Sequence, residues 1–326
     1  MSEPLRRCSI CQALIDEEDL FCANCGTEAP HAPHDSPADS ALVSTHNFTC
    51  QGCGASMSYD ASAQSLRCPF CGSTHLDEQP DAKSLSPQQV VPFAIEREQA
   101  LAAMRKWLGQ GFWRPGDLAS AAEVAKMTAV YVPYWVFSAR TFTYWTADSD
   151  SVPFGASGDW VPVSGQHAGE YSGLLVGASS ALSPRETAEI CPFDLSVAVS
   201  PNHVDLENMV VEQFRVQRKY ARPLAQQAIE QREAAACEQY VSGRCRNVRV
   251  NVRLQGLTSV PVLLPVWVMA YQYRGNLFRF LINGQTGRAT GQAPFSWRKL
   301  IAVIAGIFLI LVGVISCAGL WGILAR

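Results

Sequence analysis

The sequence predicts an α+β chain: two small four-cysteine zinc ribbons, a mostly antiparallel β domain with helices, and one C-terminal transmembrane helix. Three observations carry this. Eight of the twelve cysteines fall in four C-x-x-C pairs before residue 72, residues 90–296 mix helical and strand patterns, and residues 300–325 form a 26-residue run without a charge.

The pairs are Cys8 with Cys11, Cys22 with Cys25, Cys50 with Cys53, and Cys68 with Cys71. Two pairs joined by a hairpin put four thiolates at the corners of a tetrahedron, about 2.3 Å from one Zn²⁺. The spacings C-x2-C-x10-C-x2-C and C-x2-C-x14-C-x2-C therefore predict two structural Zn²⁺ sites, in ribbons over residues 1–29 and 46–76. Gly26, Gly54 and Gly72 suit the turns that aim backbone N–H groups at sulfur. A disulfide scaffold needs an oxidising compartment, and the opening MSEPLRRCSICQ lacks the apolar core of a secretory signal. A thioredoxin-type pair needs a surrounding βαβ unit and would not come four times. Neither ribbon carries many apolar residues, so metal binding and folding are expected to be one event.

Charge bears on what the ribbons grip. The chain has a formal charge of −3, and residues 1–76 hold nine acids against three bases, −6 before any metal site. Each Zn²⁺ with four thiolates adds about −2. Affinity for DNA comes largely from Lys and Arg neutralising phosphates, so this charge argues against nucleic acid and for protein contact or a structural role. Residues 30–45, rich in Pro, Ala, Ser and Asp, read as a linker, with His31 and His34 as solvated side chains. Residues 77–89 read as a second linker.

The main domain is expected over 90–296. IEREQALAAMRKWLG places Leu101, Met104 and Leu108 on one helical stripe, with Gly109 as the stop. TAVYVPYWVFSARTFTYWTA is dense in β-branched and aromatic residues and reads as strand, with Pro133 at an edge or bend. DWVPVSGQHAGEYSGLLVGAS adds one or two strands, and Pro223 through Tyr240 read as a helix with Pro in its first turn. NVRVNVRL, LLPVWVMAYQYRG and NLFRFLINGQTG follow as strands, joined by tight turns at 274–276 and 283–287. The hexapeptides Val132–Phe137 and Leu264–Met269 match in character, which suggests an internal duplication with Trp135 and Trp267 in the core.

No G-x-x-x-x-G-K-[ST], G-x-G-x-x-G behind a strand, G-x-S-x-G or H-E-x-x-H is present, so no enzymatic role and no catalytic residue is expected. His167 and Glu170 read as a solvated pair, and Cys191, Cys237, Cys245 and Cys317 as small buried or membrane residues. Leu300 to Ala325 would extend about 39 Å as a helix, enough to span a hydrocarbon core of about 30 Å once. Trp297, Arg298 and Lys299 flank it, so the expected arrangement is a tail anchor over 297–326 with everything before it cytosolic. Ala302 and Gly306 have the small-xxx-small spacing that lets helices approach, consistent with a homo- or hetero-oligomer.

FTCQGCGASMSYDASAQSLRCPFCGS, VVPFAIEREQALAAMRKWL, VYVPYWVF, LLPVWVMAYQYRGNLFRFLINGQTGRATGQAPFSW and a closing apolar run together resemble bacterial TFIIB-type zinc-ribbon membrane proteins of the YdjG type, over residues 46–326. The family is sometimes labelled primosomal helicase-like, a label at odds with the lack of a nucleotide-binding motif. The resemblance implies zinc ligation by Cys50, Cys53, Cys68 and Cys71. It also implies an adaptor at the bacterial inner membrane, working beside SPFH- or PspA-like partners in envelope stress. The extra N-terminal ribbon and the short connection between YWTA and WVPVSG depart from that pattern. The expected function is thus a membrane-anchored cytosolic zinc-ribbon adaptor. The alternatives are a membrane-tethered nucleic-acid-binding regulator and an enzyme acting at the membrane face.

Overall fold

The computed structural model describes residues 6–10, 14–15, 47–58, 67–78, 85–155 and 158–324, with side chains of the last helix described as far as Gly313. In chain order its strands are β1 (Arg6–Arg7), β2 (Leu14–Ile15), β3 (Asn47–Cys50), β4 (Ser56–Ser58), β5 (Leu76–Glu78), β6 (Gln89–Val90), β7 (Glu123–Ser149), β8 (Val161–Gly177), β9 (Val210–Glu212), β10 (Cys245–Tyr273), β11 (Asn276–Asn283) and β12 (Ala289–Gly291). The helices are α1 (Arg97–Leu108), α2 (Leu118–Ala121), α3 (Pro184–Glu189), α4 (Arg218–Glu238) and α5 (Trp297–Leu324). β1 pairs with β2, and the other ten strands form one sheet in the order β12-β11-β10-β7-β9-β4-β3-β5, with β6 beside β10 and β8 beside β7.

The expected α+β balance gives way to a largely β-sheet domain with few helices. Its axis is the antiparallel pair of β7, 27 residues long, and β10, 29 residues long. The prolines that break up these segments in the sequence are accommodated where neighbouring strands hand over. β9 pairs with β7 as far as Tyr131 and β8 takes over at Tyr134, leaving Pro133 between them. On β10, β6 pairs at Leu263 and β11 begins at Val266, around Pro265. A missing N–H costs little at such a junction.

These parallels extend to a whole repeat. β6, α1, β7 and β8 recur in order as β9, α4, β10 and β11, and each leading strand pairs in parallel with the other repeat's long strand. Trp135 Nε1 donates to Val216 O at 2.8 Å, just before α4, and Trp267 Nε1 donates to Ile95 O at 2.8 Å, just before α1. Pro133 O accepts from Ala178 N at 2.9 Å and Pro265 O from Gly284 N at 2.8 Å. The duplicated hexapeptides are therefore cross-strand neighbours in two intertwined repeats, with Val132 opposite Leu264. Each Trp→Phe change strands one carbonyl, so Trp135→Phe and Trp267→Phe are expected to cost similar amounts, about 1–2 kcal/mol, in denaturation midpoints.

Helix and turn positions follow the local sequence closely. α1 buries Ala100, Met104 and Leu108 and ends at Gly109. α4 starts at Arg218 rather than Pro223, because its buried stripe already begins at Ala221. The 273–276 turn has positive φ at Arg274 (49°) and Gly275 (81°), the backbone that suits a tight two-residue hairpin. Asn283 closes the next turn, its Oδ1 accepting from Gln285 N and Thr286 N.

The C-terminal reading is overturned. Among the described residues, no helix is long and apolar enough to cross a membrane. α5 has 28 residues, but its described side chains end at Gly313. The transmembrane helix, the tail anchor and the single-pass inner-membrane placement built on it fall together. Ala302 and Gly306 lie on the described part of this helix, and a Cβ at Gly306 would meet nothing within 4 Å.

Candidate metal centre

Cys50, Cys53, Cys68 and Cys71 come together, their sulfur atoms all within 4.8 Å of one another. Two turns of the same design position them. In the first, Gly54 N donates to Cys50 O at 2.9 Å and Cys50 N to Ala55 O at 2.8 Å; in the second, Gly72 N donates to Cys68 O and Cys68 N to Ser73 O, both at 2.9 Å. Each turn needs a left-handed residue, supplied by Gly54 (φ 74°) and Gly72 (φ 76°). Gly52 lets the turns approach, since a Cβ there would lie 3.3 Å from Cys71 Sγ.

The donor set fits a tetrahedral cation. Cys50 Sγ lies 3.5 Å from Cys71 Sγ, and Cys53 Sγ 3.6 Å from Cys68 Sγ. Four sulfurs about 2.3 Å from one Zn²⁺ would stand about 3.8 Å apart, so these two pairs would open by a few tenths of an ångström and the remaining pairs would shift by at most about 1 Å. As free thiols, Cys53 and Cys71 resist ionisation. The bond with Cys68, then burial, pushes Cys53 far above its ordinary value, and burial above all pushes Cys71 to about 11. A bound divalent cation reverses that, because it stabilises thiolate directly.

The centre is built into the main core. Phe48, Cys50, Ala55, Met57, Cys68 and Phe70 belong to one buried cluster with Val132, Tyr134, Val266 and Leu281 of the central sheet. β4 pairs with β9, and Ser180 Oγ donates to Gly54 O at 3.0 Å. Beside this seam Glu212 is fully buried, accepting at Oε1 from Ser179 Oγ, Ser180 N and Ala181 N, while its Oε2 has no hydrogen-bond partner among the described residues.

Of the first predicted ligand set, Cys8 is buried and accepts from Ile10 N at 3.4 Å; Cys11, Cys22 and Cys25 lie outside the described residues, as do His31 and His34. His167 is not a solvated partner of Glu170. Its Nδ1 lies 2.8 Å from Glu233 Oε2, and Cys237 is buried close by. The sequence reading missed Glu233 and Glu212, whose neighbours are remote in the chain. Cys191 and Cys245 are partly buried, and the side chain of Cys317 lies outside the described residues.

The chain is similar to the uncharacterized protein YdjG of Bacillus subtilis (strain 168), at 26% identity over 319 residues, which covers 80% of this chain and 94% of that protein. No family model matches, so the TFIIB-type zinc-ribbon family gains no support from that side. No solved structure matches the chain.

Proposed function

We propose that this chain is a zinc-stabilised β scaffold that acts as a non-enzymatic protein-binding adaptor. Zn²⁺ is the ion assigned to Cys50, Cys53, Cys68 and Cys71, and a second Zn²⁺ to Cys8, Cys11, Cys22 and Cys25. Four soft thiolates at these spacings favour Zn²⁺ over oxygen-seeking cations.

The observation that carries the adaptor reading is the open face of the arm made by β8, β7 and the first half of β10. Arg253 stands opposite Phe142, Arg249 opposite Thr146, and Gln255 opposite Arg140, so these side chains share a face. Arg140, Arg249 and Arg253 are exposed there around Phe142 and Tyr144, whose rings meet at 5.1 Å. Glu170, opposite Arg140, is the acid on β8 that shares this face. Exposed arginines around aromatic rings suit an acidic protein segment, since guanidinium forks carboxylates and the rings supply apolar contact. The resemblance puts SPFH- and PspA-like proteins of envelope stress first among partners to test.

The test is capture by the full-length chain beside Arg249→Glu/Arg253→Glu. Both changes are on exposed positions, so zinc content and denaturation midpoint should be unchanged. Recovery of SPFH- or PspA-like proteins by the native form, falling at least tenfold in the variant, is the expected result. Equal recovery by both forms, or capture of nucleic acid in place of protein, would defeat this reading.

A further inference from the structure

We propose a second kind of metal site, in which His167, Glu233 and Cys237 bind one Zn²⁺-class cation beneath α4, on the opposite face of the same arm. Their ligand atoms all lie within 4.8 Å of one another. Glu233 and Cys237 are one helical turn apart and fully buried. His167 projects from β8 between Gly165 and Gly169, opposite Thr143 on β7. Imidazole, carboxylate and thiolate together form the mixed N, O, S set that zinc accepts, and three protein ligands leave a fourth position for water.

The geometry is close to what a cation needs. At Zn–N and Zn–O distances of about 2.0–2.2 Å and Zn–S of about 2.3 Å, N and O stand about 3.3 Å apart and N and S about 3.5 Å. His167 Nδ1 and Glu233 Oε2, now 2.8 Å apart, would open by about half an ångström. Cys237 Sγ, within 4.8 Å of both, would close by at most about 1.3 Å. The other carboxylate oxygen is already fixed from outside the ligand set: Glu233 Oε1 accepts from Thr141 Oγ1 at 2.6 Å and from Tyr171 OH at 2.7 Å. Such orientation of a ligand by its neighbours is the usual support of a metal site.

Three further observations point to a ligand rather than to plain packing. The buried stripes of the repeats correspond turn by turn, Ala100, Met104 and Leu108 on α1 against Ala221, Ala225 and Ile229 on α4. α4 then continues past the length of α1, and the added turns carry Glu233 and Cys237, so the site has no counterpart in the first repeat. Space is kept for the carboxylate, since a Cβ at Gly169 would lie 2.5 Å from Glu233 Oε1. Trp145 Nε1, two residues beyond Thr143 on the same face, is buried without a hydrogen bond among the described residues. Access is from the His167 side, where that side chain is 16% exposed and the exposed Tyr240 ring lies 5.7 Å away.

The test uses the full-length chain with its tetrathiolate sites loaded. Bound zinc is counted by elemental analysis, and affinity is measured by competition with a chromophoric chelator, for the native chain, Cys237→Ser and His167→Gln. One zinc more per native chain is expected than per His167→Gln chain, with affinity at this site at least tenfold weaker in Cys237→Ser and a hundredfold weaker in His167→Gln. Equal zinc content and affinity in all three would overturn the proposal, even if the variants were less stable, because a purely structural network moves stability alone. Should either variant fail to fold, Co²⁺ added to the native chain decides. An extra equivalent with single-thiolate charge-transfer absorption supports the site; no Co²⁺ taken up beyond the tetrathiolate sites overturns it.

Discussion

Cys68→Ser is expected to strip the metal from its ribbon and also to lower the denaturation midpoint of the main β domain. Cys68 is completely buried in the cluster that holds Val132, Tyr134, Val266 and Leu281 of the central sheet. Three thiolates bind zinc far more weakly than four, and the metal supplies most of the folding energy of such a hairpin, about 10–16 kcal/mol in isolated zinc-finger peptides. Once β3, β4 and β5 release, Phe48, Met57 and Phe70 leave the shared core. Each such burial is worth about 1.5–3 kcal/mol, so the loss approaches the whole stability of an ordinary domain, about 5–15 kcal/mol. Urea unfolding followed by intrinsic fluorescence, beside zinc content, checks this. Cys245→Ser, a half-buried thiol at the far end of the arm, serves as the control and should change neither quantity. A Cys68→Ser chain that lost its zinc but unfolded at the native midpoint would mean the ribbon is energetically separate from the sheet.

That packing was not legible in the sequence, although the four-cysteine cluster was. The C-x-x-C spacings, with Gly54 and Gly72 at left-handed positions, locate the second cluster without any structure, because the chemistry is local. What the cluster packs against depends on residues such as Val266 and Leu281, some two hundred positions away. The same limit explains the strands. Pro133 and Pro265 read as interruptions because a sequence does not show that each falls where one neighbouring strand ends and the next begins.

The repeat was half legible. The hexapeptides around Trp135 and Trp267 announce it, but only their cross-strand pairing shows that the copies interlock, each leading strand lying against the other copy. Glu233 shows the opposite case. A glutamate in a helix of mean polar character reads as surface, and His167 lies 66 residues from it. The available signal was the alternation Gly165, His167, Gly169, Tyr171 on one strand face, which keeps small residues beside polar ones where a core strand would carry valine. The apolar run after Lys299 had the clearest pattern of all, yet the described part of α5 does not support a membrane crossing. Length of pattern alone was too strong a guide there.

Glu212→Gln should make the protein more stable above neutral pH. Burial pushes the Glu212 carboxyl up to about 7, and the bonds from Ser179, Ala181 and Ser180, which favour its ionised form, do not outweigh it. Between the ordinary glutamate value of about 4.5 and about 7, the folded chain therefore binds more proton at this site than the unfolded chain does. Stability from this group is complete below the ordinary value, falls as pH rises, and is gone above about 7. A separation of about 2.5 pH units at about 1.4 kcal/mol each makes the whole loss about 3 kcal/mol. The thiolate centre has the opposite slope, since acid protonates its ligands and releases metal. Subtracting the two chains' unfolding free energies at each pH cancels that shared contribution. The difference should move in favour of the glutamine chain by about 2–3 kcal/mol between pH 5 and pH 8. Curves that run parallel across this range would show that Glu212 is not held neutral by its burial. Because Ser180 binds both Glu212 and Gly54 O, a confirmed difference would also place a proton-sensitive contact directly beneath the first cysteine turn.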